Sequence, residues 1–410
     1  MPEHLLIIGS GQAAAQAVQT LRQEKFSGPI TIVGEEAYPP YQRPPLSKKY
    51  LAGELSVERL YLKPVSHYKN KDVTMRLGEK VTALEPEKSR VVLENGQTIT
   101  FSRLLLATGS HVRKLQIPGE DLDGIHYLHT IEDANAIAEG LKRGSRLVIV
   151  GAGYIGLEVA AVAIKRGVTV TVLEALDRVM ARVVSPEVSN FYLGYHQKKG
   201  ANILCNTAVT RFSGEKKVDR VETADGRHFP CDLAIVGIGV EPATELAEAA
   251  GLACNNGILV DEFARTQHPD IFAAGDCTNH PNHQTGARVR LESVHNAIEQ
   301  AKTAASNMLG KPKRYEDVPW FWSDQYDLKL QIVGLSEGYD QVVIRGEPSQ
   351  KTFAAFYFRS GKIIAINAVN SPREFMLGKK LISQEKTIAP EKIANQALNF
   401  MDLAKKAIDQ

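Results

Sequence analysis

The chain opens with an apolar run that ends in a glycine-rich turn. The run LLII, residues 5–8, leads directly into Gly9 and Gly11, and a helix-forming stretch with the small residue Ala14 follows. In such a turn the first glycine permits the tight bend, the second lets a pyrophosphate approach the backbone, and the small residue lets the helix pack closely on the strand. The next apolar run ends at Glu35, about where an acid that binds a ribose is expected. This layout predicts a dinucleotide site at the helix N-terminus.

The same layout recurs in the middle of the chain. Residues 147–150 lead into Gly151, Gly153 and Gly156, an apolar helix-forming stretch follows, and the next apolar run ends at Glu174. Because a chance recurrence of the whole unit is rare, two dinucleotide sites are predicted. A carboxylate at Glu174 would accept from a free ribose 2'-hydroxyl and repel a 2'-phosphate, which favours NADH.

Two arginines close behind the second acid weaken this coenzyme preference. Arg178 and Arg182 follow Glu174 within the same segment, and a nearby arginine can accommodate a 2'-phosphate. Their alternative roles are a solvated face or a contact to the pyrophosphate.

Length and composition set the class of protein. A chain of 410 residues is expected to form two to three domains, at roughly 150 residues each. With 43% apolar and 23% charged residues the composition is that of a globular protein, and a net charge of +2 does not indicate nucleic acid as a partner. The first apolar run is too short to span a membrane and lacks the basic flank of a signal peptide, so the sequence predicts a cytoplasmic protein with no membrane partner.

The cysteines form no redox or metal-binding pattern. Cys205, Cys231, Cys254 and Cys277 are widely separated, with no C-x-x-C pair, and they are predicted to be buried or inert thiols. The loop PPYQRPPLSKKYLAG, residues 39–53, contains four prolines and no cysteine.

Two further segments follow the glycine turns in a fixed order. RLLLATGS (103–110) is an apolar run that ends in A-T-G, and IFAAGDCTNH (271–280) contains G-D after a strand. Together with the two turns they resemble the two-dinucleotide-binding flavoprotein fold, which implies FAD in the first site and a nicotinamide in the second. The resemblance implies that Asp276 hydrogen-bonds the ribityl chain of FAD. A helix from about Val294 would point its positive end at the flavin pyrimidine.

The lack of a thiol in the proline-rich loop separates the chain from many enzymes of that fold. Flavoprotein disulfide reductases carry a C-x4-C pair in this segment, and peroxidases of similar fold carry a single cysteine. Thioredoxin reductases instead place C-x-x-C in the pyridine-nucleotide domain. The chain has none of these patterns, so the sequence excludes a flavin-to-disulfide relay.

The R-P-P-L-S-K loop and two later segments point to one branch of the superfamily. With WFWSDQYDLKLQIVG (320–334) and LSEGYDQVVIRG (335–346), the loop resembles the ferredoxin reductases of oxygenase systems, which include putidaredoxin reductase and the reductase components of aromatic-ring dioxygenases. The likeness extends over nearly the whole chain. It implies an NADH-dependent oxidoreductase with FAD as cofactor and a [2Fe-2S] ferredoxin as acceptor, serving a monooxygenase or dioxygenase.

The glycine turns and the resemblance together assign the cofactor contacts. Contacts to FAD are expected at Gly9, Gly11, Ala13, Ala14, Glu35, Arg43, Lys48, Val81, Ala107, Thr108, Gly109, Gly275, Asp276, Val294 and Trp320. Contacts to NADH are expected at Gly151, Gly153, Ile155, Gly156, Glu158, Glu174, Arg182 and Gly239. One position departs from the family pattern: His129, in HTIEDA, stands where relatives usually have arginine, which puts that adenine or phosphate contact in doubt.

Lys48 and Glu158 match a family pair that lies close to flavin N5. Because prolines fix φ, the loop can hold Lys48 against the isoalloxazine ring. The resemblance implies that Lys48 favours the reduced, anionic flavin, while Glu158 orients that lysine and gates the nicotinamide. NADH would deliver hydride to N5, and the flavin would release its electrons singly. The alternative is a surface lysine and a helix-surface glutamate.

The family also implies a docking surface for the acceptor. Ferredoxins of this kind are usually acidic, so Lys302 and Lys329 are candidate contacts whose long-range steering weakens with salt. Trp320 and Trp322 would lie near the flavin ring and the docking surface. For one of them, packing in the core of the third domain is the alternative.

The motifs predict an α/β fold with two Rossmann-like domains of glutathione-reductase type and a C-terminal α+β domain. The predicted bounds are 1–110 and 241–316 for the FAD-binding domain, 111–240 for the NADH-binding domain and 317–410 for the C-terminal domain. The tail alternates apolar and polar residues, which predicts an antiparallel sheet. Helical segments near 372–384 and 390–408 are expected to follow it.

Two rival functions stay open from the sequence. The first is another enzyme of the same fold, namely a rubredoxin reductase, an NADH oxidase or a dye reductase. The second is an interaction protein that holds FAD and senses its redox state. Rapid NADH turnover without an iron-sulfur protein would favour the first, and slow turnover with every acceptor would favour the second.

Overall fold

The first apolar run of the chain becomes the middle strand of a five-stranded parallel sheet. The structure, a computed structural model, describes residues 3–409. It divides into two compact units, 3–42, 57–111 and 240–319 in the first and 43–56, 112–239 and 320–409 in the second. In the first unit the strand order is Ile271–Ala273, Arg103–Leu106, Leu5–Ile8, Ile30–Gly34 and Val73–Leu77. All four residues of the middle strand are buried, as expected for a parallel strand covered on both faces.

Alternate residues of the strand Leu5–Ile8 face two different layers. Odd-numbered residues pack with the helices Gln12–Gln23 and Val294–Met308, whereas even-numbered residues pack with Leu84 and Val91 on the other face. Further elements of this unit include the strands Val81–Glu85, Arg90–Leu93, Thr98–Thr100, Ile258–Leu259, Thr278–Pro281 and Arg288–Val289 and the helices Val65–Lys69 and Glu245–Ala249. With both faces covered, the carboxyl ends of the parallel strands are the natural place for a ligand.

The second apolar run forms the middle strand of a corresponding sheet in the second unit. The parallel strand order is Asn202–Leu204, Thr169–Leu173, Arg146–Val150, Leu233–Val236 and Ile125–Tyr127. The helices of this region are Ile131–Gly140, Tyr154–Lys165 and Pro186–Lys198, and a small antiparallel sheet comprises Val209–Gly214, Val218–Thr223 and His228–Pro230. The predicted second strand, turn, helix and strand are therefore present.

The tail forms the antiparallel sheet that its alternating pattern predicts. Its strand order is Trp320–Gln325, Leu328–Gly334, Lys362–Val369, Thr352–Arg359 and Gln341–Glu347. Helix Pro372–Ser383 follows the sheet, in agreement with the predicted segment.

The segment predicted to be helical near 390–408 is helical at its two ends but not in its middle. The structure has two helices there, Pro390–Ala394 and Phe400–Asp409. Between them the side-chain oxygen of Asn395 accepts from the backbone N–H of Ala397, and that of Asn399 accepts from the N–H of Met401. Short amide side chains offer backbone N–H groups an alternative to helical hydrogen bonds, so they interrupt the helix.

The two compact units group the chain differently from the three predicted domain ranges. Residues 43–56 and 320–409 belong to the same unit as 112–239, so the predicted domain bounds stay a prediction. Among the helices of residues 3–409, none is both long enough and apolar enough to cross a bilayer.

Candidate active site

The first glycine turn has one crowded glycine and one open glycine. Gly9 has a φ of +107°, and a β-carbon there would come well under 3.0 Å from the carbonyl oxygen of Ala107. Gly11 precedes the helix Gln12–Gln23, and a β-carbon there would have nothing within 4 Å. Ala14 is fully buried beneath the turn. The turn thus exposes backbone N–H groups at an open helix end, which fits a pyrophosphate.

Three of the predicted FAD motifs meet at one edge of the first sheet. Gly9, Ala107 and Gly275 each follow closely the carboxyl end of one of three adjacent strands. The backbone N–H of Gly275 donates to the Oε1 atom of Gln300 at 2.8 Å, which ties the G-D segment to the helix Val294–Met308. The structure therefore brings these motifs together.

The remaining predicted FAD residues of the first unit differ in their burial and in their partners. Ala13 is buried, and its β-carbon would lie 3.5 Å from a β-carbon at Gly275. Thr108 Oγ1 donates to the carbonyl of Ala243 at 2.8 Å. Glu35 is exposed and pairs with Lys80 at 3.0 Å. Gly109, Val81, Asp276 and Val294 are partly buried. All these contact assignments stay predictions.

The second glycine turn repeats the geometry of the first. Gly151 has a φ of +101°, and a β-carbon there would lie 2.5 Å from the carbonyl oxygen of Gly237. Gly153, at the start of the helix Tyr154–Lys165, would have nothing within 4 Å of a β-carbon. A β-carbon at Gly156 would come under 3.0 Å from the Gly151 carbonyl, so this glycine lets the helix approach the turn.

Glu174 stabilises the second turn as well as standing at a predicted ribose site. Its two carboxylate oxygens accept from the backbone N–H groups of Ala152 at 2.6 Å and Leu176 at 2.9 Å. The carboxylate is thereby fixed beside the glycine turn. Ile155, at the start of the following helix, is 43% exposed.

The two arginines behind Glu174 differ in their surroundings. The Arg178 guanidinium donates to the carbonyls of Val184 at 2.7 Å and Ala181 at 2.6 Å, within its own loop. Arg182 is exposed and makes one 3.4 Å hydrogen bond to the carbonyl of Ile238, next to Gly239. Arg178 therefore has a structural role, and Arg182 is the arginine better placed for a ligand.

Lys48 and Glu158 form a largely buried ion pair. Pro44 to Ser47 form a short 3-10 helix that ends at Lys48. The Lys48 ammonium donates to Glu158 Oε2 at 2.6 Å, and their side chains are 16% and 3% exposed. The ammonium also donates to the Pro44 carbonyl at 3.1 Å. The structure therefore joins the two residues of the predicted pair, and their catalytic role stays a prediction.

Two serines that the sequence reasoning missed complete the surroundings of Glu158. Ser47 Oγ donates to Oε2 at 2.5 Å and Ser323 Oγ donates to Oε1 at 2.6 Å. Burial raises the pKa of Glu158, and the charge of Lys48 and the hydrogen bonds oppose that rise. Ser47 lies in the proline-rich loop and Ser323 in the W-F-W-S-D-Q segment. Their approach to Glu158 could not be predicted, because no sequence spacing relates positions so far apart.

His129 offers its backbone to Arg43, whereas the adenine or phosphate contact questioned at this position stays a prediction. The Arg43 guanidinium donates to the His129 carbonyl oxygen at 2.6 Å. Since any residue supplies a carbonyl, the exchange of the family's arginine for histidine leaves this hydrogen bond intact.

The candidate docking residues are not equivalent. Lys302 pairs with Glu299 at 2.7 Å and is one-third exposed, whereas Lys329 is exposed. The rings of Trp320 and Trp322 lie 5.5 Å apart and are both partly buried. Lys329 therefore carries the freer charge, and the docking roles stay predictions.

All four cysteines are free thiols with low reactivity. Burial raises the pKa of Cys231 to about 12 and that of Cys254 to about 11, and it also raises the pKa of Cys205 and Cys277. Because the thiolate is the reactive form, none is prepared to take part in disulfide chemistry.

Comparison with known proteins identifies the family. The profile of the pyridine nucleotide-disulphide oxidoreductases matches residues 3–301, and a reductase C-terminal domain matches residues 320–404. A ferredoxin–NAD(P)+ reductase of Sphingomonas sp is 42% identical, covering 94% of each chain. The ferredoxin–NAD+ reductase subunit of a benzene 1,2-dioxygenase system from Pseudomonas putida is 36% identical, covering 99% of this chain and 98% of the relative.

A solved structure agrees with this assignment. The reductase in the covalent putidaredoxin reductase–putidaredoxin complex superposes with a TM-score of 0.97 at 39% identity, covering 100% of this chain and 99% of that one. The predicted fold class and family resemblance are thus confirmed. The chain belongs to the pyridine nucleotide-disulphide oxidoreductases and, within them, to the ferredoxin reductases of oxygenase systems.

Proposed function

We propose that this protein transfers electrons from NADH through FAD to a [2Fe-2S] ferredoxin that serves a monooxygenase or dioxygenase. The observation that carries the proposal is the pair of glycine turns, each open at its second glycine, Gly11 and Gly153. The similar proteins named above, a ferredoxin–NAD+ reductase of a dioxygenase system and a putidaredoxin reductase, support the same reaction.

FAD fits the first unit and the nicotinamide fits the second. The open turn at Gly11 would hold the FAD pyrophosphate, and the Asp276 carboxylate would bind its ribityl hydroxyls. The turn at Gly153 and the carboxylate of Glu174 would hold NADH. In this proposal the FAD-binding domain comprises 1–110 and 241–316 and the NADH-binding domain 111–240.

Lys48 and Glu158 would prepare the site for hydride transfer. FAD, when bound, accepts a hydride and gives up electrons singly. The Lys48 ammonium, held at 2.6 Å from Glu158, would supply positive charge where negative charge develops. Glu158 would restrict the rotamers of Lys48, so that little conformational entropy is lost when substrate binds.

The state of the thiols favours an acceptor that takes electrons singly. All four cysteines are free, and burial raises the pKa of each, so a protein disulfide is not prepared to accept an electron pair. Free thiols are also typical of reducing compartments, which supports the proposed cytoplasmic location, where NADH is available.

The proposal is tested with the FAD-loaded protein, NADH and cytochrome c as the final sink. We expect cytochrome c reduction to require an added [2Fe-2S] ferredoxin, and prior alkylation of the thiols to leave the rate unchanged. Fast NADH consumption without an iron-sulfur protein would instead indicate an oxidase. Uniformly slow turnover with every acceptor would indicate an interaction protein.

Replacement Glu174→Gln tests the coenzyme preference. The amide keeps the size of the side chain and one of the two backbone hydrogen bonds that Glu174 accepts. It removes the charge that repels a 2'-phosphate, so the NADH-to-NADPH ratio of kcat/KM should fall about tenfold, as expected for a difference near 1.4 kcal/mol. Steady-state rates with both coenzymes measure it. Glu187→Gln, at an exposed acid on the helix Pro186–Lys198, is the matched control. An unchanged ratio in Glu174→Gln would remove this carboxylate from coenzyme selection.

A further inference from the structure

A buried line of hydrogen bonds extends from Glu158 into the C-terminal sheet. Ser323 Oγ donates to Glu158 Oε1 at 2.6 Å, and Gln325 Nε2 donates to Ser323 Oγ at 3.1 Å. His196 Nε2 lies 2.8 Å from Gln325 Oε1. Ser323, Gln325 and His196 are each 0% exposed, so water does not compete for these contacts.

The donors in this line all point toward Glu158. An amide oxygen can only accept a hydrogen bond. The Nε2 atom of His196 must therefore carry a proton and donate it in a hydrogen bond to Gln325 Oε1. Burial lowers the pKa of His196 to about 4, which keeps the imidazole neutral at neutral pH. Its Nδ1 atom is then free to accept from the Tyr326 hydroxyl at 3.4 Å.

One strand connects this line to the two tryptophans. Successive side chains of a strand point to opposite faces. In Trp320–Gln325, Ser323 and Gln325 therefore share one face, while Trp320 and Trp322 share the other. The same strand thus carries the Ser323 hydroxyl, which contacts Glu158, and the Gln325 amide on one face, and the two indoles on the opposite face.

We propose that Ser323, Gln325 and His196 are positioning residues for the Lys48–Glu158 pair. Their aligned donors hold Glu158 as a carboxylate in one orientation, and the carboxylate in turn holds the Lys48 ammonium in place. This inference rests on the proposed function, in which that ammonium assists hydride transfer.

Titratable and charged side chains from the surrounding elements face the hydrogen-bonded line at Glu158 and at His196. Glu158 faces three titratable groups: Lys48 at the end of the 3-10 helix, Tyr154 on the same helix as Glu158, and Tyr192 on the helix Pro186–Lys198. Burial raises the pKa of both tyrosines. His196 faces the Tyr326 ring, against which Lys199 lies at 5.8 Å. With both tyrosines neutral, Lys48 is the charge that acts directly on Glu158.

Removal of the Ser323 hydroxyl has a predictable sign. Ser323 donates to the ionised form of Glu158, so Ser323→Ala makes ionisation harder and raises the pKa of that carboxyl. More of the protein then carries a protonated Glu158 at a given pH, and Lys48 loses its anchor there. The acidic limb of the pH profile for flavin reduction should therefore move upward by about one pH unit.

Stopped-flow reduction of the FAD-loaded protein by NADH, measured across pH, tests the proposal. Ser323→Ala and Gln325→Met should shift the acidic limb upward, and Ser323→Thr, which keeps the hydroxyl, should restore the wild-type profile. Ser189→Ala is the matched control, because Ser189 is also fully buried and its hydroxyl donates to the carbonyl of Val179. A wild-type profile in both Ser323→Ala and Gln325→Met would overturn the proposal.

An NMR measurement tests the line without using the reaction. In protein labelled with 15N-histidine, the His196 signal, assigned by its loss in His196→Gln, should show the neutral Nε2–H tautomer at neutral pH. A charged or Nδ1–H imidazole would overturn the proposal, even if Ser323→Ala and Gln325→Met fail to fold. If NADH does not reduce the wild-type flavin, the proposed function fails while the tautomer still decides whether the line exists.

Discussion

Replacement of Lys48 by alanine should slow the reduction of bound FAD by NADH about a hundredfold, in line with the loss of one preorganised donor from an active site. The variant removes the ammonium that lies 2.6 Å from Glu158 and leaves that carboxylate buried without its cation. The same loss should destabilise the protein by about 3 kcal/mol, because one partner of a buried pair is left uncompensated. FAD should stay bound, since the proposed pyrophosphate position at Gly11 is unchanged.

Stopped-flow absorbance measures the reduction rate, and the flavin content after gel filtration measures retention. Lys49→Ala is the matched control because Lys49 is the adjacent lysine and is exposed. It should reduce FAD at the wild-type rate. Wild-type kinetics in Lys48→Ala would remove this lysine from the mechanism.

Alanine substitutions at Gly9 and Gly11 should affect different properties. Gly9→Ala should lower the stability of the fold, and Gly11→Ala should weaken FAD binding. Gly9→Ala forces a β-carbon against the Ala107 carbonyl at a φ of +107°, and we expect a loss of about 3 kcal/mol or more in the free energy of unfolding. Gly11→Ala meets no protein atom within 4 Å and has an allowed φ of −94°. It should leave stability nearly unchanged but weaken FAD binding about tenfold or more, because the methyl group overlaps the proposed pyrophosphate position.

Urea unfolding of the FAD-free proteins and titration with FAD separate the two effects. In the second turn, Gly151→Ala should lower stability as Gly9→Ala does, and Gly153→Ala should weaken NADH binding. Tight FAD binding by Gly11→Ala would contradict the proposed position of the pyrophosphate.

Arg178 shows where a sequence pattern misleads. From spacing alone, Arg178 could accommodate a phosphate, but its guanidinium is used by carbonyls of its own loop. A residue type indicates which contacts a side chain can make, whereas the folded chain decides which of them it makes.

The sequence by itself determined the two glycine turns, the strands before them and the order of the motifs along the chain. These features are local: a run of four apolar residues and two glycines set a strand and a turn through burial and φ. Only the tertiary structure decided that Ser47, Glu158 and Ser323 converge. Their hydrogen bonds span 111 and 165 positions, and no short-range period relates residues brought together by the packing of separate elements.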